Sequence, residues 1–199
     1  MLPEQLYVYT DETFLHAYLA LSNYGSFLEI VADEENRQHR AAWMYLQSFL
    51  SHFGMVSKLL FAPSARNQIS KDRARSLRDY LETSEASALN DRNARNAIEH
   101  LDERMDNWLT KEGKGFLEMA FPNRKAYQYL NLTNWIIRRV YLIEEKIFIT
   151  QEKEDPKEME LRPIITELER IIGVCEARLQ NLNHNLLIEP AQPQKVMSR

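Results

Sequence analysis

The stretch ARNAIEHLDERMDNWL, residues 94–109, decides how the chain is read. At about 100° per residue on a helix, Ala94, Ala97, Ile98, Leu101, Met105, Trp108 and Leu109 share one side, which makes an apolar face. Asn96, His100, Arg104 and Asn107 form a polar stripe nearly opposite. A helix with such a face needs other apolar elements to lie on. It begins near Asn90 and stops before the Gly113-Lys-Gly115 break, so it is the fourth helix of the chain.

Three helices are expected before it, because apolar positions recur at helical spacing and Gly and Pro are nearly absent. The first starts after the N-cap candidate Thr10 and runs to about Ala32, burying Phe14, Tyr18, Leu21, Leu28 and Val31. Asp33 then caps a second helix that carries Trp43, Leu46, Phe49, Leu50, Phe53, Val56 and Leu60 and ends before Pro63. A shorter third helix follows Ser70 and ends near Glu82.

After Gly115 the composition shifts. Residues 126–131, 135–143 and 146–150 are rich in β-branched and aromatic residues and read as two or three short strands, with helix as the alternative for the middle one. Gln151 to Glu158 reads as a charged turn. A last helix starts with Pro163 as its first residue and carries Ile164, Leu168, Ile171, Ile172, Cys175, Leu179 and Leu182. The expected fold is mainly α: an antiparallel helical bundle over 1–112, a small α+β extension over 116–187 that ends in a helix, and a disordered tail over 188–199.

Charge and composition narrow the chemistry. The net charge is −4, so the whole surface does not attract polyanions and any nucleic-acid site is a local patch. No long uncharged apolar run exists, so no membrane span is expected. The N-terminus lacks the basic and apolar regions of a secretory signal, which points to the cytoplasm. The one cysteine, Cys175, lies on an apolar stripe and reads as a small buried hydrophobe. Metal ligands at productive spacing are missing: Glu12 with His16 and Glu35 with His39 stand at i, i+4, and no HExxH or Cys/His cluster occurs. His16, His39, His52 and His184 therefore read as surface or interfacial groups. No metal and no cofactor is expected, since nucleotide-cradling glycine motifs are also missing.

The basic residues are unevenly placed. Residues 64–78, SARNQISKDRARSLR, hold Arg66, Lys71, Arg73, Arg75 and Arg78 against Asp72 alone. Lys71, Arg75 and Arg78 share a helix face and could grip successive phosphates. The plainer reading is a solvated helix with pairs such as Arg75 with Asp79 or Arg78 with Glu82.

Arg95-Asn96-Ala-Ile-Glu-His100 resembles the R-x(4 to 6)-H signature of the HEPN superfamily, helical-bundle proteins in which a polar residue, often Asn, follows the arginine. Arg178 and His184 have a similar spacing, with Leu179 after the arginine. The resemblance covers residues 10–112 as architecture and the motif as sequence. It implies a homodimer whose two motifs line one cleft, metal-independent endoribonuclease activity of toxin or defence type, and a nucleotidyltransferase-like antitoxin as partner. By the same resemblance His100 is the acid/base, Arg95 the phosphate clamp and Asn96 the orienting group, with Arg104 adding charge. On an ideal helix Arg95 and His100 stand about 140° apart, so a two-fold partner is what would bring them together. The alternatives are a non-catalytic dimer that binds nucleotide, RNA or a protein partner, and a plain scaffold. The carboxylates Glu99, Asp102, Glu103 and Asp106 around the motif favour these alternatives, because they repel phosphate.

Overall fold

The computed structural model describes residues 1–35, 40–62, 67–91, 116–129, 136–152 and 155–185. Three helices open the chain: α1 (Pro3–Ala32), α2 (Arg40–Leu60) and α3 (Gln68–Tyr80), followed by a short 3-10 turn at Ala88–Asn90. Then come β1 (Phe116–Phe121), α4 (Arg124–Tyr129), β2 (Ile136–Leu142), β3 (Ile147–Glu152), β4 (Asp155–Glu160) and α5 (Leu161–Asn185). The fold is mainly α, with a small sheet and a final helix.

Pro3 starts α1, and the Leu2 amide donates to Gln5 Oε1 at 3.1 Å. A fixed proline φ at the first helical position favours this start. Thr10 is therefore not the cap expected of it; it sits fully buried inside the helix. The buried stripe runs Thr10, Thr13, Ala17, Ala20, Tyr24, Phe27 and Val31. That stripe is offset from the expected one, and Tyr18 is 57% exposed. The small side chains of Ala17 and Ala20 leave room for a neighbouring helix, whereas a stripe through Tyr18 would hold it away.

Asp33 ends α1 instead of opening α2, and its Oδ1 accepts from the Glu35 amide at 3.0 Å. On α2 the expected face is buried throughout: Trp43, Leu46, Phe49, Leu50, Phe53, Val56 and Leu60. α3 starts three residues early because Asn67 caps it, its side-chain oxygen accepting from the Ile69 amide at 3.0 Å. The fourth helix expected from Asn90 to Gly113 lies outside the described residues beyond Asp91.

The sheet order is β1-β2-β3-β4, with β1 parallel to β2 and the other pairs antiparallel. Tyr141, Phe148 and Met159 stand opposite one another in successive strands. They join the core made by α1, α2 and α5. Their neighbours Val140, Leu142 and Ile149 point the other way and pack with Phe121, Ala126 and Tyr127. This is the period-two alternation of a sheet covered on both faces. The units expected at 1–112 and 116–187 thus share one apolar core, and α5 packs along α1.

Two sequence expectations for this region are corrected. Residues 126–129 belong to α4 and are not a strand, because Asn123 Oδ1 accepts from the Ala126 amide at 3.1 Å and Glu145 Oε1 from the Arg124 amide at 3.0 Å. These bonds supply acceptors for amides at the start of a helix, which aromatic content does not reveal. The segment read as a charged turn forms the end of β3 and most of β4. An edge strand tolerates the proline and charges of Pro156, Lys157 and Glu158, since one side of its backbone ladder is not needed for pairing. β1 was not foreseen at all. The last helix begins at Leu161, two residues before Pro163, with Ile164, Leu168, Ile171 and Cys175 buried as expected. Burial pushes the Cys175 thiol up to about 12, so it is no nucleophile at neutral pH. Among the described residues no helix is long and apolar enough to cross a membrane.

Candidate nucleic-acid interface

Of the residues singled out from the sequence, Arg66, Arg95, Asn96, His100 and Arg104 lie outside the described residues, as do Glu99, Asp102, Glu103 and Asp106. Lys71, Arg73, Arg75 and Arg78 are on α3, and the structure divides them.

Lys71, Arg75 and Arg78 line one surface pocket of about 200 Å³ with Phe61, Ala62, Ala74, Glu85 and Asn90. Lys71 and Arg75 are exposed, and their side chains make no hydrogen bond or ion pair among the described residues. Arg78 is held in place. Its Nη1 donates to the Leu60 carbonyl at 2.5 Å, its Nη2 pairs with Glu85, and its guanidinium stands 5.2 Å from the centre of the Phe61 ring. The pocket therefore offers two exposed cations without a partner among the described residues and a third that already has a carboxylate.

Arg73 is on another side of α3. It donates to the Lys58 carbonyl at 3.1 Å and stands 5.5 Å from the Tyr9 ring centre, so it ties α3 to both α1 and α2. Arg178, from the second motif-like spacing, is also committed. It donates to the Tyr80 carbonyl at 3.1 Å, pairs with Glu82 at 2.5 Å and covers the Tyr80 ring at 5.1 Å.

Glu85 and Asn90 were not picked out from the sequence. They reach the pocket because the chain turns back sharply after α3: Glu82 adopts a φ of 53°, and the Thr83 amide donates to the Arg78 carbonyl at 2.9 Å. A left-handed residue after a helix is most often glycine. With glutamate at that place the turn has no local signature. Asn90 then donates to the Glu85 carbonyl at 3.0 Å, closing the loop beside the pocket.

A larger hollow of about 640 Å³ lies at the start of α5, lined by Glu82, Ser87, Arg162, Glu167 and Arg170 among others. Its groups largely satisfy one another. Arg170 Nη2 lies 3.2 Å from Glu167, and the Ser87 hydroxyl donates to Glu167 at 3.0 Å. No cluster of three or more His, Cys, Asp or Glu side chains among the described residues is arranged to hold a metal ion. Among the described residues, the α3 pocket is thus a place where more than one cationic side chain without a partner faces solvent beside Asn90. Compared with protein-family models, with curated proteins and with solved structures, the chain finds no match.

Proposed function

We propose that the protein is a metal-independent endoribonuclease of the HEPN-like kind, working as a cytoplasmic homodimer in a toxin or defence setting, with α3 gripping the RNA backbone. One observation carries this reading. Lys71, Arg75 and Arg78 share a pocket with Asn90, and Asn90 precedes Arg95 by five residues, a span of at most about 18 Å of chain. Phosphates held on α3 are therefore within reach of the motif-bearing segment.

The chemistry asked of the motif is limited. The ribose 2′-hydroxyl must lose its proton, the phosphorane charge must be held, and the leaving 5′-oxygen must gain a proton. His100 moves the proton, since imidazole titrates near neutrality. Arg95 holds the phosphoryl oxygens through its guanidinium fork, Asn96 orients the phosphate or the imidazole, and Arg104 adds charge. The second protomer supplies the Arg95 that meets His100. A nucleotidyltransferase-like antitoxin is the natural partner for such an activity.

A non-catalytic dimer that binds RNA or nucleotide is the second reading. The Glu85 carboxylate favours it, because it lies inside the pocket and leaves a net charge suited to modest phosphate binding. One experiment separates the two. In EDTA the nuclease cuts single-stranded RNA to 2′,3′-cyclic phosphate ends, and Arg95→Ala and His100→Ala each abolish cutting in folded dimers. Cutting that persists in both variants removes the site assignment. Salt-sensitive binding without cutting by the unaltered protein selects the second reading, and a monomer at micromolar concentration removes the shared cleft.

A further inference from the structure

The outer seam between α1 and α2 carries an imidazole pair that the RNA reading does not use. His16 Nδ1 and His52 Nδ1 are 2.8 Å apart. The ring centres are 5.1 Å apart, the separation expected when the nitrogens face each other in line, each about 1.1 Å from its ring centre. This is the geometry of a hydrogen bond. Two rings sharing one tetrahedral metal ion, with bonds of about 2.0–2.1 Å, would hold their nitrogens about 3.3 Å apart, farther than the 2.8 Å found between these two. On the far side of His16, Nε2 lies 3.7 Å from Glu12 Oε2.

An in-line bond between two imidazole nitrogens needs one proton between them. One Nδ1 donates and the other accepts with its lone pair. A proton added to His16 is accommodated, because Nε2 then points at Glu12 while Nδ1 still donates to His52. A further proton on His52 sets N–H against N–H, and the bond is lost. Nothing nearby offsets that repulsion on α2: no Asp, Glu, Lys or Arg lies within four residues of His52, and Glu12 is the one such residue within four of His16. From α3 the charge that reaches α1 is Arg73, over Tyr9, two turns before His16. α5 contributes the apolar side chains of Ile164, Leu168 and Ile171 to the core shared with α1.

We propose that His16 and His52 form a one-proton latch across the α1–α2 seam, closed at neutral pH and opened when mildly acidic solution puts a proton on each ring. Burial first, and then the charge of His16, hold His52 below the ordinary histidine range. The unfolded chain therefore takes up this proton more readily than the folded one as pH falls. The latch's contribution to stability is complete above the ordinary histidine value of 6.5 and is lost as pH drops below it.

The test is an imidazole titration of the full chain by nitrogen-detected NMR. At neutral pH one ring of the pair is expected as the Nδ1–H form. His52 should titrate below an unfolded-state histidine, and its midpoint should rise in His16→Gln. An ordinary midpoint in the unaltered protein, or one indifferent to His16→Gln, overturns the latch. As a check that needs no NMR assignment, the urea midpoint should fall more between about pH 7.5 and about pH 5 in the unaltered protein than in His52→Gln. Equal falls overturn it as well.

Discussion

The hydroxyls of Tyr24 and Tyr141 meet at 2.6 Å inside the core, joining α1 to β2. The Phe27 ring meets Tyr141 edge-on at 4.7 Å, and the Phe49 ring lies 5.1 Å from Tyr24, so the polar bond is enclosed by aromatic carbon. Burial raises both phenols above the ordinary tyrosine range, so both stay protonated. Removing one hydroxyl leaves the other without its buried partner. Tyr24→Phe and Tyr141→Phe should each cost about 1–3 kcal/mol, and the double variant less than the two losses combined. A urea-denaturation double-mutant cycle measures this, and strict additivity would contradict it.

The shared core makes α5 a structural part of the N-terminal bundle. Leu168 is fully buried, so Leu168→Ala should cost about 2–5 kcal/mol. Trp43, on α2, is buried in the same core. With Trp108 and Trp135 replaced by Phe, the fluorescence of Trp43 should report that loss as one cooperative transition. A Trp43 transition that ignores Leu168→Ala would separate α5 from the bundle.

Arg124 and Glu158 form a two-pronged ion pair, with both bonds at 2.7 Å, between α4 and the edge strand β4. The bond to Arg124 holds the Glu158 carboxyl below the ordinary carboxylate range. Its stabilising effect is therefore present above the ordinary glutamate value of 4.5 and is lost as pH falls through the lowered pKa. The side chains are 36% and 44% exposed, so solvent screening limits the effect to under about 1 kcal/mol. Arg124→Gln should narrow the stability difference between neutral and acid pH by that small amount, and urea midpoints at the two pH values check it.

Arg73 and its neighbours on α3 should respond in opposite ways. Arg73→Met removes the bond to the Lys58 carbonyl and the stacking on Tyr9. It should cost about 1–3 kcal/mol of stability while leaving the salt dependence of RNA binding unchanged. Lys71→Gln with Arg75→Gln should leave stability nearly intact and lower the slope of log affinity against log salt by about 1.4 for a single strand. Fluorescence anisotropy across a salt series, beside thermal melts, distinguishes the two effects.

The helical part of this fold is legible in the sequence because apolar spacing is a local property. Trp43, Leu46, Phe49 and Phe53 on α2, and Ile164, Leu168 and Ile171 on α5, are buried as that spacing requires. Thr10 misleads because threonine serves as a cap and also tolerates burial; Thr13, one turn on, satisfies its hydroxyl by donating to the Tyr9 carbonyl at 2.6 Å. β4 escapes notice because a strand at the sheet's edge can be polar, and α4 because its aromatic residues favour a strand while one of its two capping acceptors, Glu145, lies 21 residues from Arg124. The shared face of Lys71, Arg75 and Arg78 follows from their spacing. The approach of Glu85 does not, since it depends on a left-handed glutamate that no local preference announces.

The arginines at the helix ends have a consequence for which substitutions the chain can accept. Arg73 and Arg78 close the carbonyls of Lys58 and Leu60 near the end of α2, and Arg178 and Arg170 close those of Tyr80 and Leu81 at the end of α3. Each guanidinium also engages a ring, a carboxylate or a hydroxyl. A planar fork reaches two such partners at once; an ammonium group at the end of a flexible stem meets one and leaves the other unanswered. Lysine in any of these four places keeps the charge and loses the joint, so homologues that preserve this architecture should hold arginine there while exchanging the two cations freely at positions 71 and 75.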